Sequence, residues 1–285
     1  CTLRRLAVAV GQRPSEQPTR KKLMPATANS RYRPTVLCQS ARSPLAITAR
    51  IGSDWLASLG RITRILLADV SGHGELAAQI AQALRDLMRR NVNYVKQTRF
   101  VRAMNQQFAD FGQQGVFATA LVATFFSPTR YLTLSNAGHP SPLVFRRSTS
   151  EWTELTIADD HEHPATDMPL GIARDTAYCQ LRRRLDTGDM VLAFSDAVTE
   201  SQDSDGQQLG RLGVLRLVRE LKVAEPAELI PALVERITVL RSGNLQQDDT
   251  TFLLCQATGG GPSLTNSLLA PFRLFLPVTD RTKLG

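Results

Sequence analysis

Apolar and polar positions change their spacing several times along the chain. "RITRILLADV" (61–70) alternates and then becomes wholly apolar, which predicts a buried strand ending on Asp69 and Val70. Beyond Gly74 the period lengthens. Leu76, Ile80, Ala83, Leu84, Leu87 and Met88 recur at i, i+4, i+7 and i+8 spacing, which predicts an amphipathic helix over 75–91. A second helix is expected over 97–111. "FATALVATFF" and "RYLTLSNAG" flank a Ser-Pro-Thr turn signal and read as a hairpin. "SPLVFRR", "YCQLRRRL", "DMVLAFSD" and "TTFLLCQ" add four more strands, with one helical region over 211–241 before the last. Strands and helices do not alternate regularly. The pattern therefore argues against a doubly wound parallel sheet and for an α+β class with antiparallel sheets covered by helices.

Residues 11–46 are rich in Pro, Ser, Thr, Arg and Gln and carry little periodicity, so they read as an irregular lead-in. Gly259–Gly261 and the proline after them mark the end of the compact part. These signals divide the chain into a basic arm (1–44), a globular domain (45–258) and a tail (259–285). The charge follows the same division. Residues 1–50 hold ten Lys/Arg and one acid, a balance of +9, so the remainder of a chain with net charge +8 stands at −1. The arm reads as a solvated linker, with no nucleic-acid contact expected, because the aromatics that accompany single-strand binding are nearly absent from it. No apolar run reaches the ~20 residues that span a bilayer. The most apolar tail stretch, "LTNSLLAPFRLFLPV", is broken by Arg273 and two prolines. Cys1, Cys38, Cys179 and Cys255 match no zinc spacing and fit a reducing, cytoplasmic setting, with Cys255 a buried thiol. The chain opens on Cys1 rather than Met, as a fragment of a longer protein would.

Candidate chemistry comes from the acids. Asp69 and Asp196 end apolar strands, Asp248 and Asp249 precede one, and Asp54 sits in "IGSDW" ahead of "RITRILLADV". An isolated carboxylate at the edge of a core is costly to desolvate, and several converging carboxylates repel one another. Divalent cations resolve both costs, and an all-oxygen donor set suits Mg²⁺ or Mn²⁺. Two such ions, roughly 3.5–4 Å apart, share a carboxylate, activate water and neutralise a phosphate ester. Gly72 and Gly74 allow a sharp turn after Asp69, and the following helix aims its N-terminal amides at the same place. Any one of these aspartates alone reads first as a turn former or helix cap; the set together does not. An unperturbed imidazole titrates near neutrality, so His73 is a candidate proton donor to the leaving oxygen. His139 in "NAGHPSP" reads as a turn residue, His161 and His163 as loop residues, and Asp189 as a turn acid. "AVTESQDSDGQQLG" (197–210) reads as a polar, mobile flap. The chain contains neither G-x-S-x-G nor G-x-x-x-x-G-K-[ST], so serine-hydrolase and P-loop chemistries are not expected.

"IGSDW", "LLADVSGHG", "FATALVATFFSPTRYLTLSNAGHPSPLVF", "MPLGI", "LDTGDMVLAFSDAVTES" and "QQDDTTFLLC" occur in an order that resembles the SpoIIE-like bacterial branch of the metal-dependent protein phosphatases, relatives of the type 2C enzymes. The resemblance covers roughly residues 45–256. It implies a four-layer α-β-β-α sandwich of two antiparallel sheets flanked by helices. It also implies a phosphoserine/phosphothreonine protein phosphatase that uses two Mn²⁺ or Mg²⁺ ions. The implied substrate is a phosphorylated protein, such as an anti-sigma-factor antagonist in a partner-switching circuit. By position, the implied metal ligands are Asp54, Asp69 as the bridge, the Val70 carbonyl, Asp196 and Asp248, with Asp249 beside it. The family's Gly-Gly-Asp is here Gly52-Ser53-Asp54, and its Thr-Asp-Gly is Ser195-Asp196-Ala197. If position 197 needs a left-handed backbone, alanine is strained there. The alternative is therefore a phosphatase-fold module that binds a regulatory protein with little or no turnover.

Overall fold

The computed structural model describes the backbone of residues 36–38, 45–50, 55–59, 62–71 and 75–258, apart from 92–93, 95, 113–114, 157–166, 224, 247 and 249. In chain order the elements are β1 (Val36–Cys38), β2 (Leu45–Arg50), β3 (Trp55–Leu59), β4 (Ile62–Val70), α1 (Glu75–Asn91), α2 (Gln97–Gly112), β5 (Ala118–Phe126) and β6 (Tyr131–Ala137). They continue with β7 (Leu143–Arg146), β8 (Glu151–Glu154), β9 (Leu181–Arg184), β10 (Met190–Phe194), α3 (Asp196–Thr199), α4 (Gly210–Leu221), α5 (Pro226–Leu240) and β11 (Phe252–Ala257). Two sheets result, one ordered β1-β2-β11-β10-β7-β8 and the other β3-β4-β5-β6-β9. Every strand pair in both is antiparallel.

The period-2 alternation of side chains decides the layers. From the five-stranded sheet, Ile65, Leu67, Leu121, Phe125 and Leu134 meet Val144, Val191, Ala193, Leu253 and Cys255 of the six-stranded sheet. The opposite face of β4, Leu66, Ala68 and Val70, packs under α1 and α2 through Ile80, Leu84, Phe100, Met104 and Phe108. The outer face of the other sheet, Leu192, Phe194, Phe252 and Leu254, packs against Val214 and Leu217 of α4 and Leu233 and Ile237 of α5. The protein is thus an α-β-β-α sandwich. The all-apolar run in β4 follows from its place, since Thr63 through Ala68 are buried between a helix layer and a second sheet. Among the described residues no helix is long and apolar enough to cross a membrane.

The structure departs from the sequence expectation in four places. The helical region 211–241 is two helices, because Lys222 takes a left-handed backbone (φ 44°) after α4 and Pro226 opens α5 at a position where its missing N–H costs nothing. β1 falls inside the stretch expected to be irregular, and β8 was not expected. Position 54 comes after β2 and directly before β3, so three strands, β1, β2 and β3, precede β4, the strand expected to be first. Residues 197–210, read as a polar flap, hold most of α3 and a hydrogen-bonded turn. Asp203 Oδ1 accepts from the backbone of Asp205 (3.0 Å) and Gln207 (2.9 Å). Asn244 holds the backbone of Gln202 from both sides, at 2.9 and 2.7 Å.

Candidate active site

The site is built where β4 and β10 end on the same side of the sandwich. Asp69 lies one residue from the end of β4 and pairs in register with Thr119 of β5. Directly opposed residues of an antiparallel pair project from one face. Asp69 therefore shares with Thr119 the inner face already occupied by Ile65, Leu67 and Leu121. Thr119 lines a cleft of about 380 Å³ together with Gly138, His139, Pro140, Ser141, Asp196, Thr199 and Arg211. Strand pairing thus brings Asp69 and Asp196, 127 positions apart in sequence, to one end of the sandwich. Ala118, opposite Val70, gives both its backbone groups to Leu170 (3.0 and 2.8 Å), and β3 begins only opposite Leu66. Neither neighbouring strand among the described residues takes the Val70 carbonyl.

Asp196 is half-buried at the start of α3, and its Oδ1 accepts from the Ala197 amide at 2.8 Å. Ala197 is not among the described residues with a positive φ; it sits in a helical turn, 8 % exposed. The strain expected of an alanine at this position is absent, and its methyl is part of the packing. Ser195 fastens β10 to the segment entering β11: its amide donates to the Thr251 carbonyl and its Oγ accepts from the Thr251 amide, both at 3.0 Å. That segment carries Asp248, which is exposed. Asp54, His73 and Asp249 lie outside the described residues, as do Ser53, Gly72 and Gly74. Among the described residues no three acidic, histidine or cysteine side chains form a group that could hold an ion. The described donors, two aspartates facing one end and a carbonyl without a strand partner, are all oxygen and suit a hard divalent cation; completing an ion's shell requires donors beyond them.

His139 holds the cleft wall. Asn136 clamps its backbone reciprocally, at 2.7 Å in each direction, and its Nδ1 lies 3.1 Å from Thr119 Oγ1. The residue is 5 % exposed. Burial pulls its pKa from 6.5 down to about 4; the Phe194 backbone beside the ring opposes this, although Nε2 has no partner within hydrogen-bond geometry among the described residues. The imidazole is therefore neutral at pH 7. Its folded pKa lies below its unfolded one, so its contribution to stability is complete above about pH 6.5 and is lost as the pH falls toward 4. Between pH 7 and pH 5 the loss is expected to be about 2 kcal/mol. Urea midpoints at the two pH values check this, and the difference should shrink by that amount in His139→Gln.

The "MPLGI" stretch supports the same end. Asn105 of α2 donates to the carbonyls of Ala173 (2.8 Å) and Arg174 (3.0 Å) and accepts from the Gly171 amide (2.9 Å). Leu170 is thereby held against Ala118, beside the β4 terminus. Asp189 lies at the other end of β10. Buried to 2 % exposure, it accepts from Arg146 Nη1 (2.7 Å) and from the amides of Arg147 (2.8 Å) and Asp186 (2.9 Å). It is a turn acid, remote from the cleft. Asp189→Asn is expected to lower stability by about 1–2 kcal/mol in a urea melt without changing cleft chemistry. Sequence reading did not single out Thr119, Thr199 or Arg211 for the cleft; only Thr119 left a trace, through its place in the alternation of β5.

Two antiparallel sheets between helix layers are the fold of the PP2C-like phosphatases. The family model of stage II sporulation protein E (SpoIIE) matches residues 60–258, and the chain belongs to this family. It is 25% identical over 194 residues to phosphoserine phosphatase RsbU of Bacillus subtilis strain 168, covering 67% of this chain and 54% of that protein. The chain thus spans about half the length of that curated relative. The solved PP2C phosphatase domain of the cell fate determinant SpoIIE from Bacillus subtilis, with a fragment of its regulatory domain, matches with a TM-score of 0.59 at 18% identity, over 74% of this chain and 59% of that one. The catalytic domain of the serine/threonine protein phosphatase PstP, in complex with 2 manganese ions, matches with a TM-score of 0.51 at 16% identity, over 75% of this chain and 98% of that one. Both structural likenesses concern the fold.

Proposed function

We propose that this protein is a metal-dependent phosphoserine/phosphothreonine protein phosphatase, its catalytic domain spanning residues 45–258. The observation that carries this reading is the cleft shared by Asp196 and Thr119, with Asp69 paired directly to Thr119. Asp69, the Val70 carbonyl and Asp196 would hold two Mn²⁺ or Mg²⁺ ions together with Asp54, Asp248 and Asp249. When bound, such ions lower the pKa of water and offset the charge of a phosphate ester. The pairing of β4 with β5 sets Asp69 opposite Thr119. Asp196 is steadied by the Ala197 amide. As water attacks phosphorus and the serine P–O bond breaks, His73 would donate a proton to the departing serine oxygen and be reprotonated by the proton that the water releases, so that serine leaves neutral and the phosphate keeps the water's oxygen. Neutral His139 keeps Thr119 in place without adding a cation beside the acids.

Membership of the SpoIIE family and the likeness to RsbU favour a phosphorylated protein of a partner-switching pathway as substrate, acted on in the cytoplasm. The alternative, a binding module without turnover, leaned on Ser53 and Ala197, and the unstrained helical setting of Ala197 removes half of that argument. The test uses the full chain with Mn²⁺ or Mg²⁺. Hydrolysis of p-nitrophenyl phosphate and of a phosphoserine peptide, abolished by a chelator and restored by metal, is the expected result. Binding of the peptide without turnover under either metal would favour the module instead.

A further inference from the structure

Of the described residues lining the cleft, Arg211 is the one carrying positive charge, since His139 is held neutral. Its position is electrostatically costly. It stands in the first turn of α4, which carries no acid, where the helix dipole disfavours a cation. Its Nη1 reaches Glu154 Oε1 at the end of β8 (2.5 Å) and Ser141 Oγ (3.5 Å). Nε and Nη2 have no partner among the described residues, and the side chain is 54% exposed against 18% for Glu154. Glu154 therefore fixes one corner of a planar fork on the rim of the cleft, while two donors stay available for a second carboxylate.

We propose that Arg211 is a specificity residue, selecting phosphoserine substrates that carry aspartate or glutamate beside the phosphoserine. The proposal rests on the phosphatase reading of the same cleft. The aspartates and the ions they would hold attend to the phosphate; Arg211, on the rim and already matched to a carboxylate, attends to the chain on either side of it. Glu154 and Ser141 are positioning residues for the guanidinium.

The test is equilibrium binding, by fluorescence anisotropy, of two peptides to the full chain in Mn²⁺. Each contains an unhydrolysable phosphonate analogue of phosphoserine, flanked by glutamate in one and by alanine in the other. The glutamate peptide is expected to bind about fivefold to tenfold tighter. Arg211→Ala should bring the ratio to one by weakening only the glutamate peptide, and Arg211→Lys should keep part of it. Equal affinities in the unmutated protein, or a ratio that survives Arg211→Ala, overturn the proposal. A purely structural tie between α4 and β8 would lower the melting temperature of Arg211→Ala without any ratio to lose. Turnover of p-nitrophenyl phosphate by the unmutated protein is read separately. Its absence beside an intact ratio would sink the phosphatase reading, whereas turnover without a ratio would sink only the role given to Arg211.

Discussion

Asp69→Asn is expected to lower metal-dependent hydrolysis by the full chain about a thousandfold, equivalent to about 4 kcal/mol of transition-state stabilisation. The substitution keeps the shape of the side chain and removes its charge. The Asp69 carboxylate would offer charged oxygens to the divalent ions; an amide offers a single weak acceptor and turns N–H donors toward positive charge. Asp69 stands beyond the alternating core positions of β4, half-buried rather than packed, so its replacement leaves Ile65 and Leu67 in the inter-sheet core undisturbed. Asp196→Asn should behave alike, because its amide oxygen can still accept from the Ala197 amide and preserve the start of α3. The measurement is kcat and KM over a Mn²⁺ titration, with circular dichroism as the control for folding. Loss of the fold along with the activity would assign these acids a structural role.

Gly138→Ala is expected to destabilise the domain by about 3 kcal/mol, from left-handed backbone strain together with overpacking. Gly138 has φ +70°, and a Cβ there would lie 2.6 Å from Pro169 Cγ and 2.9 Å from Pro169 Cδ. Neither atom belongs to a flexible chain end, so the 167–171 loop must move. That loop holds Leu170 against Ala118, and Gly138 precedes the histidine that faces Thr119, so the cleft should loosen as well. For a domain of this size the melting temperature should fall by about 10 °C. Gly115 offers an internal comparison, since it has φ +77° but open space around it. Gly115→Ala should cost only the strain, about 1 kcal/mol. Equal costs at the two positions would show that the contact with Pro169 contributes nothing.

The elements that sequence made legible are those in which one periodicity is unmistakable. β4 and α1 lie side by side in the chain, and the change from an apolar run to i, i+4 spacing at Gly74 separates them to the residue. The β5–β6 hairpin shows through its turn and its alternation. β8 was hidden because "EWTE" sets one buried residue, Trp152, among three polar ones on an edge strand; pairing with β7 makes it a strand, not its composition. β1 was hidden for the same reason, three residues within a basic, proline-containing stretch that pair with β2. In the candidate site, Asp69 and Asp196 were readable because a charge closing an apolar strand is locally anomalous. Thr119 and Arg211 were not. A threonine in a strand and an arginine on a helix are ordinary in sequence, and only the sheet register and the approach of α4 to β8 give them a common cleft.

The most direct test of the metal-centred account is a crystal of the full chain soaked in Mn²⁺ and examined by anomalous scattering. The account predicts two peaks roughly 3.5–4 Å apart, with oxygens of Asp69 and Asp196 within about 2.5 Å of them. Manganese bound elsewhere, or carboxylates of Asp69 and Asp196 that share no ion pair at saturating metal, would contradict it.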